Sequence, residues 1–379
     1  MVTKKTRVAR RRRICLPFLP EEIIEQVILR VACVKSIGRW MSVCKSWYAL
    51  IKSHYFINIH LSRPSNKKYL LCKHHGKRRP RGYHGLDYYS LNYDKEALDE
   101  YSMLDPGKFS FLHGCNGLIC FTKAADSERL CLWNPAIRKF KVVPASPHGQ
   151  YYHPHKPYFR PFKLWFDSKA NDYRILRMSI YINKATVIEF YSLKTNSWTL
   201  ISKDTSVKSG SISECTCLNG IWYWIKYGDD INTLISLDTG NWMFGKVMTW
   251  KKPSRNWTPY LMPINDRYLI ICYYHPYNNV HLRWRWWFTM IYDQSSNKFY
   301  TIDFQHTRNM IDGWVPIGVR NNGEILLQNY LGTNREIVSW NLESNRMDQF
   351  VPAYSHRLEC VFPYTETLAL LNDEDATTI

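Results

Sequence analysis

No run of apolar residues in this 379-residue chain is long enough to cross a bilayer. The best candidate, Tyr268-Leu269-Ile270-Ile271-Cys272-Tyr273-Tyr274, has only the length of a strand. A secretory leader is not expected either, because the basic start runs into Ile14-Cys15-Leu16-Pro17-Phe18, a short stretch broken by proline. Acid is scarce, with 32 Asp and Glu against 51 Lys and Arg, for a formal charge of +19. Cysteine is present, but a framework of cysteine spacings is not: there are eleven, an odd number, scattered along the chain. That usage fits a reducing compartment, so cytoplasm or nucleus is expected. Cys215 and Cys217 stand too close for a zinc pair, and Cys72-Lys73-His74-His75 and His153-x-His155 lack a second half. No metal or cofactor is expected. Cys120, Cys131 and Cys272 each lie inside an apolar, strand-like run and read as buried thiols. Catalytic signatures are lacking too: there is no Gly-rich phosphate loop, no Gly-x-Ser-x-Gly elbow and no His-Glu-x-x-His. Asp229-Asp230 and Asp373-Glu374-Asp375 read as solvated charges, so no catalytic residue is assigned.

The chain is rich in aromatics, with 15 Trp and 26 Tyr, and 45% of its residues are apolar. After the first 60 residues this composition favours strands. The positive charge is uneven. Lys4, Lys5, Arg7, Arg10, Arg11, Arg12 and Arg13 fall in a tail, residues 1–15, read as disordered and as either a nuclear localisation signal or a solvated run. A second group, Lys67, Lys68, Lys73, Lys77, Arg78, Arg79 and Arg81, follows the helical segment described next; such a surface draws acidic partners of any kind. Arg283-Trp284-Arg285-Trp286-Trp287 resembles a single-strand-binding patch, but on a strand its arginines and its first two tryptophans alternate between faces, and the half-buried strand is preferred. Nucleic acid is therefore not an expected partner, and neither is a membrane.

Residues 19 to 61 carry helical periodicity. Pro20 suits a first helical turn and Glu21 and Glu22 complement its dipole. Ile23, Ile24, Val27, Ile28 and Val31 form one stripe; Ile37, Trp40, Cys44, Trp47 and Leu50 or Ile51 form another, with Ser36 as its N-cap. Three short helices are expected. They make a core too small to be stable alone and leave apolar positions over for a docking face.

From residue 65 onward a repeat appears. Leu132 to Phe140, Phe190 to Trp198, Ser236 to Trp242, Ile291 to Phe299 and Ser339 to Met347 share a strand, a turn of Asn, Asp, Ser or Gly, and an aromatic or Met opening the next strand. The closing positions 140, 198, 242, 299 and 347 lie 44 to 58 residues apart. Asn116-Gly117, Asn219-Gly220 and Asn322-Gly323 recur every 103 residues, two such periods, and suit tight hairpin turns. A period near fifty with several strands per unit is that of a kelch-like β-propeller blade. About 315 residues allow six blades of that size. A β-sandwich with coincidental spacing is the competing reading.

Leu19-Pro20, Val43-Cys44-Lys45-Ser46-Trp47 and Phe56-Ile57-Asn58-Ile59-His60-Leu61 match, in order, the pattern of an F-box, which the segment closely resembles. The resemblance implies an F-box at residues 16–62 that binds a Skp-family adaptor, and through it a cullin-based ubiquitin ligase. The implied adaptor-binding residues are Leu19, Pro20, Ile23, Ile24, Val27, Ile28, Val43, Cys44 and Trp47, with Cys44 packing and not acting as a nucleophile. Trp47 is alternatively the anchor of the domain's own core. One departure stands out: Arg30-Val31-Ala32-Cys33-Val34-Lys35-Ser36 adds a residue and loses a proline relative to the family pattern, so a softer loop and weaker adaptor binding are expected. Gly114 to Cys120, Leu132-Trp133-Asn134-Pro135, Tyr191 to Trp198, Leu218 to Trp224 and Tyr364 to Leu371 are similar to the F-box-associated interaction domain of large plant F-box families.

These readings combine into a mainly β chain: a small α domain, then a six-bladed propeller at residues 65–379 that captures an unknown protein target for ubiquitination. The resemblance makes the chain a non-catalytic receptor whose mechanism is proximity. Two other functions remain open, a propeller that binds nucleic acid or acidic partners without coupling to the ligase, and a carbohydrate-active propeller, for which no carboxylate pair can be placed. A role in self-incompatibility is not assigned, since the pattern is shared by paralogues of other roles.

Overall fold

The computed structural model describes residues 20–30, 34–62, 69–76, 85–93, 109–123, 126–150, 161–181, 186–204, 212–213, 215–252, 258–264, 267–275, 285–301, 314–320, 322–329, 336–341, 343–344, 346–349 and 358–378. The basic tail, Leu19, the altered 31–33 loop, most of the second basic group, and Arg283 and Trp284 lie outside them.

The N-terminal segment forms four helices, α1 Glu21–Arg30, α2 Val34–Trp40, α3 Lys45–Lys52 and α4 His54–Ser62, where three were expected. Ser53 makes the extra break. Its backbone is extended (φ −66°, ψ 142°), its hydroxyl donates to the Leu50 carbonyl at 2.7 Å, and its oxygen accepts the Phe56 N–H at 3.1 Å. One side chain thus closes α3 and opens α4. Ser36, expected to cap, lies within α2. Cys44 caps α3 instead, its sulfur accepting the Trp47 N–H at 3.5 Å. The helices bury Ile28, Leu29, Val34, Ile37, Ile51, Phe56 and Ile57 in a shared core, which Leu368 joins from the far end of the chain.

The rest of the described chain is mainly strands. After β1 Tyr69–Gly76 and β2 Gly85–Tyr93 come four antiparallel sheets. The first holds β3 Phe109–Cys115, β4 Leu118–Lys123, β5 Asp126–Asn134 and β6 Lys139–Val142, and is followed by the short helix α5 Pro147–Gln150. The second holds β7 Phe162–Asp167, β8 Asp172–Ser179, β9 Thr186–Ser192 and β10 Ser197–Asp204. The third holds β11 Thr216–Leu218, β12 Ile221–Tyr227, β13 Ile231–Asp238 and β14 Met243–Lys251. The fourth holds β15 Thr258–Ile264, β16 Tyr268–His275, β17 Arg285–Asp293 and β18 Lys298–Thr301. The last strands are β19 Trp314–Val319, β20 Ile325–Asn329, β21 Ile337–Asn341, β22 Arg346–Gln349, β23 Leu358–Tyr364 and β24 Thr377–Thr378.

The result is a β-propeller of five sheets, one blade fewer than the six expected. The strands β1, β2 and β23 do not form a sheet of their own. They join β19 to β22 in one seven-stranded sheet ordered β2-β1-β23-β19-β20-β21-β22. The junction is a parallel pairing of Gly318 with Val361. Glycine permits it: a Cβ at Gly318 would sit 2.7 Å from the Val361 carbonyl carbon, with the carbonyl oxygen nearer still. Because β1 lies between β2 and β23, this sheet ties the start of the propeller to its end. A second closure is smaller: β24 adds to the outer edge of β6.

The sequence repeat marks the outer hairpin of each sheet. Trp133 pairs with Phe140, Tyr191 with Trp198, Tyr292 with Phe299, and Trp340 with Met347. In the third sheet the equivalent pair is Leu237 and Phe244, so the closing residue is Phe244 and not Trp242. Trp242 lies in the turn at φ 58°, matching Arg138, Asn196 and Asn297 at the same turn position. Its ring stacks on Phe190 of the neighbouring sheet, centroids 5.0 Å apart. Each turn is locked by the polar residue before it: Asn134, Ser192, Asp238, Asp293 and Asn341 accept backbone N–H groups two or three residues on. Asn116-Gly117 and Asn219-Gly220 form the expected two-residue hairpins with both φ positive, whereas Asn322-Gly323 sits in a longer loop between Val319 and Ile325.

Apolar layers between sheets hold the ring together. Trp165 meets Trp222 edge-on at 5.2 Å amid Leu176, Met178, Ile188 and Trp224. Cys120, Cys131 and Cys272 are buried, as their apolar settings implied.

Candidate functional site

The helical domain divides the expected adaptor residues into two groups. Ile28 is fully buried in the domain's core, so its side chain is not offered to a partner. Ile24 and Trp47 are half-buried against the same core, and Trp47 meets Trp40 edge-on at 5.7 Å. Pro20 and Cys44 are exposed. Ile23, Val27 and Val43 are 47%, 49% and 60% exposed, although each is a branched apolar side chain. Helical spacing explains the split on α1: Ile28 lies inward, while Ile23 and Val27, one turn apart, face outward. Tyr48 and Tyr55 are exposed as well. Five of the ten large apolar side chains that stand exposed among the described residues therefore fall within residues 20–62. Such concentration in so short a segment is what a docking face presents, where scattered exposed residues would need no explanation.

The helices rest on one end of the propeller. Ala136 and Ile137, in the β5–β6 turn, pack against their core, as do Leu368 and Leu371. The Asn116-Gly117 turn lies at that same end, with Thr365 and Thr367 packed so closely on Gly117 that no side chain would fit there. The other strand ends, after β4, β8, β12, β16 and β20, point away from the helices, because the strands are antiparallel. At that end Tyr273 accepts hydrogen bonds from the Trp250 indole and from Asn232 (2.8 Å), and Lys252 lies 5.9 Å over the Tyr227 ring.

The buried carboxylates serve the scaffold. Glu189 takes two hydrogen bonds from Arg177, at 2.9 and 2.6 Å, and one from Ser146. Asp172 accepts from Ser192 at 2.6 Å and from the Lys194 N–H at 2.9 Å. Asp293 is held well below the usual carboxylate range, chiefly by the Arg267 guanidinium, with Ser295 adding to it. Asp373, expected to be a solvated tail charge, bonds the buried Lys141 ammonium at 2.6 Å. Burial pushes the Cys115 thiol up to about 11 and the Cys217 thiol up to about 12, so neither is a thiolate at neutral pH. Among the described residues no three His, Cys, Asp or Glu side chains are grouped to hold a metal ion, and no helix is long and apolar enough to cross a membrane.

Residues 82–258 match the F-box-associated beta propeller domain family. Over that segment the chain is similar to plant F-box proteins that carry an F-box-associated propeller. An F-box protein of Arabidopsis thaliana is 26% identical over 257 residues, covering 61% of this chain and 60% of the relative. A relative from the same plant, named as an F-box/kelch-repeat protein, is 27% identical over 227 residues, covering 55% and 56%. The chain thus spans less than two thirds of the length of these curated relatives. The solved structure of TolB from Acinetobacter baumannii superposes with a TM-score of 0.48 at 9% identity, over 78% of this chain and 66% of that one. The helical segment, residues 20–62, which holds exposed Ile23, Val27, Val43, Tyr48 and Tyr55, precedes the family match.

Proposed function

We propose that this chain is the target-recognition subunit of a Skp-cullin-F-box ubiquitin ligase. Its helical domain binds the Skp-family adaptor through Leu19, Pro20, Ile23, Ile24, Val27, Val43, Cys44 and Trp47, and its propeller captures a protein target. The observation that carries the reading is the apolar surface of Ile23, Val27 and Val43 on a four-helix domain seated on an F-box-associated propeller. In this reading the chain is a receptor and not a catalyst, which the engagement of Glu189 by Arg177 and of Asp373 by Lys141, and the raised thiols of Cys115 and Cys217, support. Proximity does the work, since holding a target beside a charged conjugating enzyme turns a bimolecular transfer into an effectively unimolecular one. The strand ends turned away from the helices are the place for the target, where the connecting loops are free to vary. Cytoplasm and nucleus, where such ligases act, are the proposed location.

The test is co-purification of the full chain with a Skp-family adaptor, compared with Ile23→Asp/Val27→Asp. Both side chains are half-exposed, so the charges leave the fold intact. Capture by the parent and loss in the variant support the reading. Equal capture by both refutes the assigned face.

A further inference from the structure

The helical domain is not self-contained. Its helices precede the propeller in sequence, yet the residues that complete its core follow the last long propeller strand. Leu368 is 1% exposed within the helical core, alongside Ile28, Ile37 and Phe56, and Leu371 packs beside it. Glu366 accepts the N–H of Val34, the first residue of α2, at 3.0 Å, across 332 positions of sequence. The Asn372 amide donates to the Lys52 carbonyl at the end of α3. Two helix ends and the core between them are therefore closed by a single segment.

The same segment is fastened equally well to the propeller. The Asn134 side-chain amide donates to the Thr367 and Ala369 carbonyls at 2.9 and 2.7 Å. Gly117 leaves room for Thr365 and Thr367, and Lys141 holds Asp373. The segment alternates in allegiance: Glu366, Leu368 and Asn372 turn to the helices, whereas the Thr367 and Ala369 backbone and Asp373 turn to the sheet of β3 to β6. A segment joined on one side only would let the helices swing. Joined on both, it fixes them.

We infer that residues 366–373 are a positioning strap that sets the helical domain at one fixed angle on the propeller. Glu366, Leu368 and Asn372 are positioning residues: they meet the helices at the Val34 N–H, the helical core and the Lys52 carbonyl. Under the receptor reading, on which this last step rests, the strap fixes the distance from a captured target to the ligase. Freedom in that distance would dilute the effective concentration that drives transfer.

The experiment is hydrogen exchange and small-angle X-ray scattering on the full chain carrying Glu366→Ala, Leu368→Ala and Asn372→Ala, with Glu366→Gln as the conservative control. Losing the bond from the charged acceptor to the Val34 amide should speed exchange at the start of α2 by about tenfold or more. The radius of gyration should rise, while exchange in β4, β8 and β12 stays as in the parent. Glu366→Gln, which keeps an acceptor oxygen, should behave as the parent. Unchanged α2 exchange and scattering in the triple variant would overturn the proposal. So would loss of protection in β4 and β8, which would make the segment a part of the propeller alone. Neither readout needs an adaptor, so the strap and the receptor reading can fail separately.

Discussion

Replacing Gly318 with alanine should damage the propeller at its closure and nowhere else. The added Cβ would meet the Val361 carbonyl carbon at 2.7 Å and its Cβ at 3.1 Å. The Val361 carbonyl oxygen lies nearer still, so restoring a van der Waals spacing means parting β19 from β23 by more than an ångström, which overpacking precedents put at the upper end of roughly 1–3 kcal/mol. Parting them also loosens the layer of Leu70, Cys72, Ile317, Leu326, Ile337 and Val361, all at most 5% exposed. A total near 3 kcal/mol corresponds to a fall in Tm of roughly 6 °C or more for a domain of a few hundred residues. Calorimetry measures the loss, and hydrogen exchange should place it in β1, β19 and β23. Gly38→Ala is the contrast: nothing lies within 4 Å of that Cβ, it falls in α2, and helix propensity should raise stability by about 0.5–1 kcal/mol. A Gly318→Ala protein within about 0.5 kcal/mol of the parent would refute the close-approach reasoning.

Three further outcomes follow from the same structure. Glu189→Ala removes the carboxylate that takes two hydrogen bonds from the Arg177 guanidinium, 5% exposed and beside Trp198, and should cost about 3–5 kcal/mol, whereas Arg177→Met with Glu189→Leu should be nearly neutral. Denaturant titration of the three proteins decides it, and a mild single variant would contradict the buried-pair argument. Asp293 has a lowered carboxyl pKa in the folded chain, so its stabilisation is complete above the unfolded value near 4 and is lost as pH falls through the folded value. Asp293→Asn should therefore destabilise at pH 7 and blunt the acid limb of the stability curve; an unchanged limb would refute the assignment. Trp47→Ala removes the edge-on partner of Trp40 and should lower helix protection by hydrogen exchange as well as adaptor capture, separating it from Ile23→Asp/Val27→Asp, which should lose capture alone.

Much of this fold can be read from single residues. The outer hairpins were visible because Asn134, Ser192, Asp238, Asp293 and Asn341 each spend a side chain on a local turn, and local chemistry is written in consecutive letters. The same motif misled once. At Trp242 the aromatic nearest the turn is in the turn itself, and the strand resumes two residues later at Phe244. The blade number was missed because it depends on Gly318 approaching Val361, a contact between segments that no periodicity connects. On the helices, spacing identified the apolar residues but not which of them face out: Ile28 is drawn inward by Phe56 and Leu368, whose positions only the fold supplies. The strap left one signal, an apolar Leu368-Ala369-Leu370-Leu371 followed by Asp373-Glu374-Asp375 beyond the last repeat. The acids looked like a solvated tail because their partner, Lys141, lies 232 residues away.

The receptor role is tested most directly by the footprint of a Skp-family adaptor on the full chain, measured by hydrogen exchange with and without the adaptor. Protection confined to α1 and residues 41–48, with the propeller strands unchanged, is the expected result. Protection on the propeller alone, or none at saturating adaptor, would contradict it.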